Sequence, residues 1–171
     1  MCPNHPGTEL VYRGKAAGSK WSNTGGGANY LCMYPRPEYS SYQRGVQGKS
    51  TLYGVEYEPQ GGPLNSVQEH DAPCALCFVS NREASIMVPG MMTCPRGWSK
   101  EYSGYLVSTS QNSPHYRSMY VCLDGQPESY PFSNRNHPDQ AVFYHVEAGC
   151  GTLPCPPYSA EKELTCVVCT K

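Results

Sequence analysis

Residues 73–98 read PCALCFVSNREASIMVPGMMTCPRGW, and this stretch is a seam between two copies of one unit. The first unit closes with Cys74-Ala75-Leu76-Cys77. The second opens with Cys94-Pro95-Arg96-Gly97-Trp98 and closes with Cys166-Val167-Val168-Cys169. Working outward, Cys2 lies 92 residues before Cys94, and Cys74 and Cys77 lie 92 before Cys166 and Cys169. Cys32 and Cys122 are 90 apart. Between these anchors Glu9-Leu10-Val11-Tyr12-Arg13-Gly14 matches Lys100-Glu101-Tyr102-Ser103-Gly104. Asn29-Tyr30-Leu31-Cys32-Met33 matches Met119-Tyr120-Val121-Cys122-Leu123, and Val55-Glu56 matches Val146-Glu147 at an offset of 91. Four cysteines held in register over this distance predict a tandem duplication, with units at residues 1–92 and 93–171 packed as one compact domain.

The bulk properties narrow the function classes. A chain of 171 residues can bury a core, whereas each half alone would be marginal. A net charge of −1 and scattered Lys and Arg give no attraction for nucleic acid. No run reaches the roughly 18 apolar residues of a membrane span, so membrane insertion is not expected. Ten cysteines, with 17 Gly, 16 Pro and 14 Tyr, fit a disulfide-braced, secreted, extracellular domain. Met1 is followed at once by Cys2-Pro3, which is expected after removal of a leader or addition of a Met. Two Cys-x-x-Cys pairs could also make a zinc site, but zinc ribbons place such pairs roughly 15–20 residues apart. Here residues 78–165 intervene. A redox pair is weaker still, since neither lies between a strand and a helix start.

No segment carries a helical period free of Pro and Gly, so the predicted fold is all-β. Strands are expected at 8–14, 29–34, 51–57, 74–79, 85–89, 100–108, 118–123, 141–147 and 164–170, with residues 15–28 and 58–72 as loops. None of His5, His70, His115, His137 and His145 lies in a catalytic motif, and no phosphate-binding glycine loop opens a helix. An enzyme is not expected.

Cys-Pro-x-Gly-Trp, a Tyr-x-Gly-Tyr strand and a closing Cys-x-Val-Cys resemble the C-terminal non-collagenous domain of type IV collagen. The chain from Cys2 to Cys169 is more similar still to the globular domain of invertebrate short-chain, spongin-type collagens. That likeness includes Glu69-His70-Asp71-Ala72-Pro73-Cys74 and Gly151-Thr152-Leu153-Pro154-Cys155-Pro156-Pro157-Tyr158. Length and composition also resemble the calcium-dependent galactose-binding lectins of sea anemones. The chain departs from the collagens in having no Gly-x-y run, so no triple helix forms. Its first unit has four cysteines where collagen-type units carry six. The resemblance implies the pairs Cys2–Cys77, Cys94–Cys169, Cys32–Cys74 and Cys122–Cys166, leaving Cys150 with Cys155.

The resemblance further implies a calcium-dependent lectin for terminal galactose, or alternatively a non-enzymatic matrix or assembly domain. Calcium takes six to eight oxygens, commonly from loops. One candidate loop is Gln68-Glu69-His70-Asp71, with Glu56 as a helper. The other is loop 124–140, which offers Asp124, Glu128 and Asp139 as metal ligands. Its amides Gln126, Asn134, Asn136 and Gln140 are candidates for the sugar hydroxyls. For any one of these residues a solvated turn is the competing reading. Loop 124–140 ranks first because three carboxylates and four amides fall within 17 residues. Its Gln126-Pro127-Glu128 and Pro138-Asp139-Gln140 are similar to short amide-Pro-acid stretches of C-type lectins. Trp21, in a glycine-rich loop, is the candidate ring for the apolar sugar face. The corresponding loop 34–50 has one acid, Glu38, so one site per chain and a homodimer binding galactose-terminated glycans are expected.

Overall fold

The computed structural model describes every residue except 46, 47, 49, 113 and 136. Among the described residues the chain is nearly all β. Its strands are β1 (Thr8–Gly18), β2 (Leu31–Met33), β3 (Tyr53–Tyr57), β4 (Pro73–Val79), β5 (Ser85–Pro89), β6 (Ser99–Ser108), β7 (Val121–Asp124), β8 (Ala141–His145) and β9 (Thr165–Thr170). They form one curled sheet in the order β2-β1-β3-β8-β6-β9-β5, with β4 also on β1 and β7 also on β6. No helix among the described residues is long and apolar enough to cross a membrane.

The two halves repeat their pairing. β1 ladders antiparallel to β4 with Gly14 opposite Cys74, and β6 ladders antiparallel to β9 with Gly104 opposite Cys166. Each ladder carries one bulge, between Leu10 and Tyr12 in the first and between Lys100 and Tyr102 in the second. Gly14 and Gly104 are required by close approach. A Cβ on Gly14 would lie 1.9 Å from the carbonyl oxygen of Met33, and one on Gly104 would lie 2.0 Å from that of Leu123. Isolated bridges join Glu56 to Asp71 and Glu147 to Glu163.

All five disulfides pair as expected: Cys2–Cys77, Cys32–Cys74, Cys94–Cys169, Cys122–Cys166 and Cys150–Cys155. The four long-range bridges tie each unit's last strand, β4 or β9, to the segment before its first strand or to its second strand, β2 or β7. Such bridges typically contribute ~2–5 kcal/mol, which matters where half-domain cores are small.

The core lies where the halves meet. β3 and β8 run parallel, with Val55 opposite Ala141 and Tyr57 opposite Phe143. Val55, Tyr57, Leu64, Val67, Ala72, Val107, Ala141 and Phe143 are buried together there. Tyr30 closes it from above, its ring 4.7 Å from that of Phe143 and its hydroxyl donating to the Val142 carbonyl at 2.9 Å. Burial pushes that phenol up to about 12. A second contact clamps the halves at the rim: the Glu101 carboxylate accepts from Thr170 on β9 at 2.6 Å and Thr8 on β1 at 3.1 Å.

Two segments differ from the sequence expectation. Lys15 to Gly18 looked like the start of a loop because its residues are small, yet they extend β1. Ala16 and Ala17 are buried where β1 passes between β2 and β3. Within the expected loop 58–72, Gly62–Val67 forms a short 3-10 helix that lowers Leu64 and Val67 into the core. β5 comes from residues 1–92 but ladders onto β9 of residues 93–171, Met87 opposite Val168.

Candidate cation site at the seam of β3 and β8

Glu56 is an acid in the middle of an apolar strand. On one side β3 pairs with β8; on the other, the backbone of residues 69–72 hydrogen bonds to Val55 and Tyr57. Its carboxylate is therefore only 1% exposed. His137 reaches it with Nδ1 at 3.2 Å, and the Gln140 amide donates to it at 3.3 Å. Burial first, and the nearby Glu58 carboxylate as well, push Glu56 up to about 7 despite the opposing hydrogen bonds from His137. Glu58 is itself buried and accepts from Gln68 at 2.6 Å.

Asp71 arrives through its bridge to Glu56. Its backbone N–H donates to Ser133 at 3.0 Å, and its carbonyl accepts from Tyr130, so the 130–137 segment folds down over β3. Glu56, Asp71 and His137 then each present a ligating atom, all within 4.8 Å of one another. Lys15 balances part of the charge, pairing with Asp71 at 3.1 Å while lying over the Tyr130 ring. The Gln140 side-chain oxygen has no partner among the described residues, and the residue is only 7% exposed. Clustered carboxylates beside an orphan amide oxygen are the chemistry of a hard-cation site. A His in the set also suits a borderline metal such as zinc.

The other candidates are dispersed. Asp124 caps its own turn, accepting from the Gln126 backbone at 3.0 Å. Glu128 pairs with the amino terminus of Met1. Asp139 pairs with Lys20 at 2.6 Å. Glu69 occupies a left-handed conformation (φ 63°) and joins none of these carboxylates. Asn134 lies in the same loop without joining the cluster, and Asn136 lies outside the described residues. Loop 124–140 thus splits: its first half lines a cavity against β1 and β4, and its second half brings His137 and Gln140 to Glu56.

Trp21 is half-buried rather than free. It packs on His115 with ring centroids 4.8 Å apart and walls a cavity of about 430 Å³ with Tyr30, Arg117 and the glycines at 25–27. Its backbone N–H donates to the Gln140 carbonyl, so one residue joins the Trp21 loop to the Glu56 cluster.

Sequence reasoning named Glu56 only as a helper and did not name His137 as a ligand. The available signal was an acid flanked by Val55 and Tyr57, since a carboxylate in a buried strand demands a partner. Searched against known proteins, the chain matches no family model and no solved structure.

Proposed function

We propose that this protein is a secreted calcium-dependent lectin for terminal galactose, acting as a homodimer on galactose-terminated glycans. The observation that carries the cation half is the meeting of Glu56, Asp71 and His137. In that role Glu56, Asp71 and the Gln140 side-chain oxygen supply hard oxygens, and water and sugar hydroxyls complete the shell. Vicinal hydroxyls such as O3 and O4 of galactose can replace water on such an ion. His137, half-exposed, stands at the mouth, where a hydroxyl can bond to it. Galactose specificity rests on the resemblance in length and composition to the sea anemone lectins, and descent of the two halves from one duplicated unit rests on the cysteine offsets. The matching ladders of β1–β4 and β6–β9 support the duplication. Five disulfides are compatible with secretion.

The test is retention on galactose beads. Binding should require calcium, be abolished by chelation and be competed by free galactose. Glu56→Gln should lose it while all five disulfides still form. Retention that survives chelation would overturn the reading. The His in the cluster favours one second reading, a zinc site, and titration calorimetry with zinc against calcium decides between them.

A further inference from the structure

β9 is sealed on both edges. β6 ladders to one side and β5 to the other, from Ser85 opposite Thr170 to Pro89 opposite Cys166. As a result Cys166, Val167 and Cys169 are 0% exposed and Thr170 is 3% exposed. β4 occupies the same place in the first half, with its cysteines 92 residues earlier. Among the described residues, however, it ladders to β1 alone. Leu76 is 45% exposed and Phe78 56%, where their counterparts Val168 and Thr170 are shielded by β5.

We propose that the outer edge of β4 pairs antiparallel with β4 of a second copy of this chain. This gives a surface to the dimer proposed above and rests on that part of the reading. Natural edge strands are protected by charge, proline or bulges, because a bare edge recruits another strand. Residues 74–81 contain no charged residue, and the only proline of β4 is its first residue, Pro73. The molecule itself shows which partner such an edge takes, since an apolar antiparallel strand already fills it at β9. A second copy meets that requirement by symmetry. A two-fold axis at Leu76, the counterpart of the residue opposite Met87, sets Leu76 against Leu76 and Ala75 against Cys77. It also lays each Phe78 beside the other copy's Cys74. On the neighbouring β1, about one strand spacing (~4.8 Å) further in, Tyr12 lies opposite Leu76 and Glu9 opposite Phe78. Disulfides anchor this strand at Cys74 and Cys77.

Light scattering on the oxidised full chain tests this. The wild type should weigh about twice 18.8 kDa. Leu76→Arg, which sets like charges face to face on the axis, should weigh 18.8 kDa. Phe132→Arg, at a residue 94% exposed elsewhere, should remain a dimer. Should Leu76→Arg fail to fold, amide exchange of wild-type residues 74–79 should slow as concentration rises through the dimer range. A monomeric wild type, a Leu76→Arg dimer or concentration-independent exchange each overturns the proposal. Calorimetric galactose affinity per chain should be the same in Leu76→Arg and wild type. A chain that dimerises through β4 yet binds no galactose counts against the lectin reading alone.

Discussion

The guanidinium of Arg82 lies 3.0 Å from the carboxylate of Glu101, joining the turn that follows β4 to β6 of the other half. Glu101 is 5% exposed at its side chain. Burial alone would raise its pKa, but the hydroxyls of Thr170 and Thr8 and the charge of Arg82 outweigh that and hold it below the usual value of 4.5. A depressed acid stabilises the fold above its unfolded pKa, and this contribution is lost as pH falls through the folded value. Urea unfolding with disulfides intact should therefore show stability declining below about pH 4.5. Arg82→Ala leaves a buried carboxylate without its cation and should cost on the order of 3 kcal/mol at pH 7. Glu101→Gln should flatten the acid limb. An unchanged acid limb in Glu101→Gln would show that this clamp does not set it.

Glu56 has the opposite sign. Its folded pKa, about 7, lies above the usual value, so the protonated form favours the fold. In cation-free protein its contribution is complete below pH 4.5 and lost as pH rises through 7. Glu56→Gln should therefore raise the cation-free melting temperature at pH 8 more than at pH 5. Calcium competes with the proton for the same carboxylate, so apparent calcium affinity should fall up to tenfold per pH unit below about 7. A calcium affinity flat from pH 5 to 8 would place the ion elsewhere.

Gly14 and Gly104 sit under the carbonyls of Met33 and Leu123 at distances no Cβ tolerates. Alanine at either must push β2 or β7 off its ladder. Each change should cost at least the ~1–3 kcal/mol of an overpacked core, and the double change should abolish folding. Thermal melts of the single variants check this; losses under ~0.5 kcal/mol would show that β2 and β7 shift freely.

Much of this fold was legible because its signals are local or periodic. Alternating and short apolar runs located the nine strands of the described residues to within a few residues. The alanines of β1 were misread because burial there depends on how closely β2 and β3 pass. The site was less legible for the same kind of reason. His137 follows Glu56 by 81 residues, and they meet only because β3 and β8 pair in parallel across the seam. No sequence pattern encodes that pairing. Counting carboxylates along loop 124–140 therefore gathered Asp124, Glu128 and Asp139, which the fold sends to a turn, the amino terminus and Lys20.

The ranking of the two loops can be tested directly. Asp71 is tied by backbone to Glu56 and faces the cluster, whereas Asp139 is 63% exposed and engaged with Lys20. Removing a carboxylate from a cation shell weakens the ion and any sugar that binds through it; removing an exposed ion pair costs roughly 0–1 kcal/mol. Asp71→Asn keeps the shape of the side chain and its backbone bonds to Ser133 and Tyr130, so the loop stays folded. Calcium affinity should then drop at least tenfold, with galactose retention falling in parallel. Asp139→Ala should change calcium affinity less than threefold. Gln140→Leu separates the amide from the carboxylates: it keeps the buried volume, removes the orphan oxygen and its bond to Glu56, and should weaken calcium without disturbing the five disulfides. If calorimetry finds Asp139→Ala deficient and Asp71→Asn normal, the ion sits against Lys20 and Trp21, and the Glu56 cluster is a structural hydrogen-bond knot.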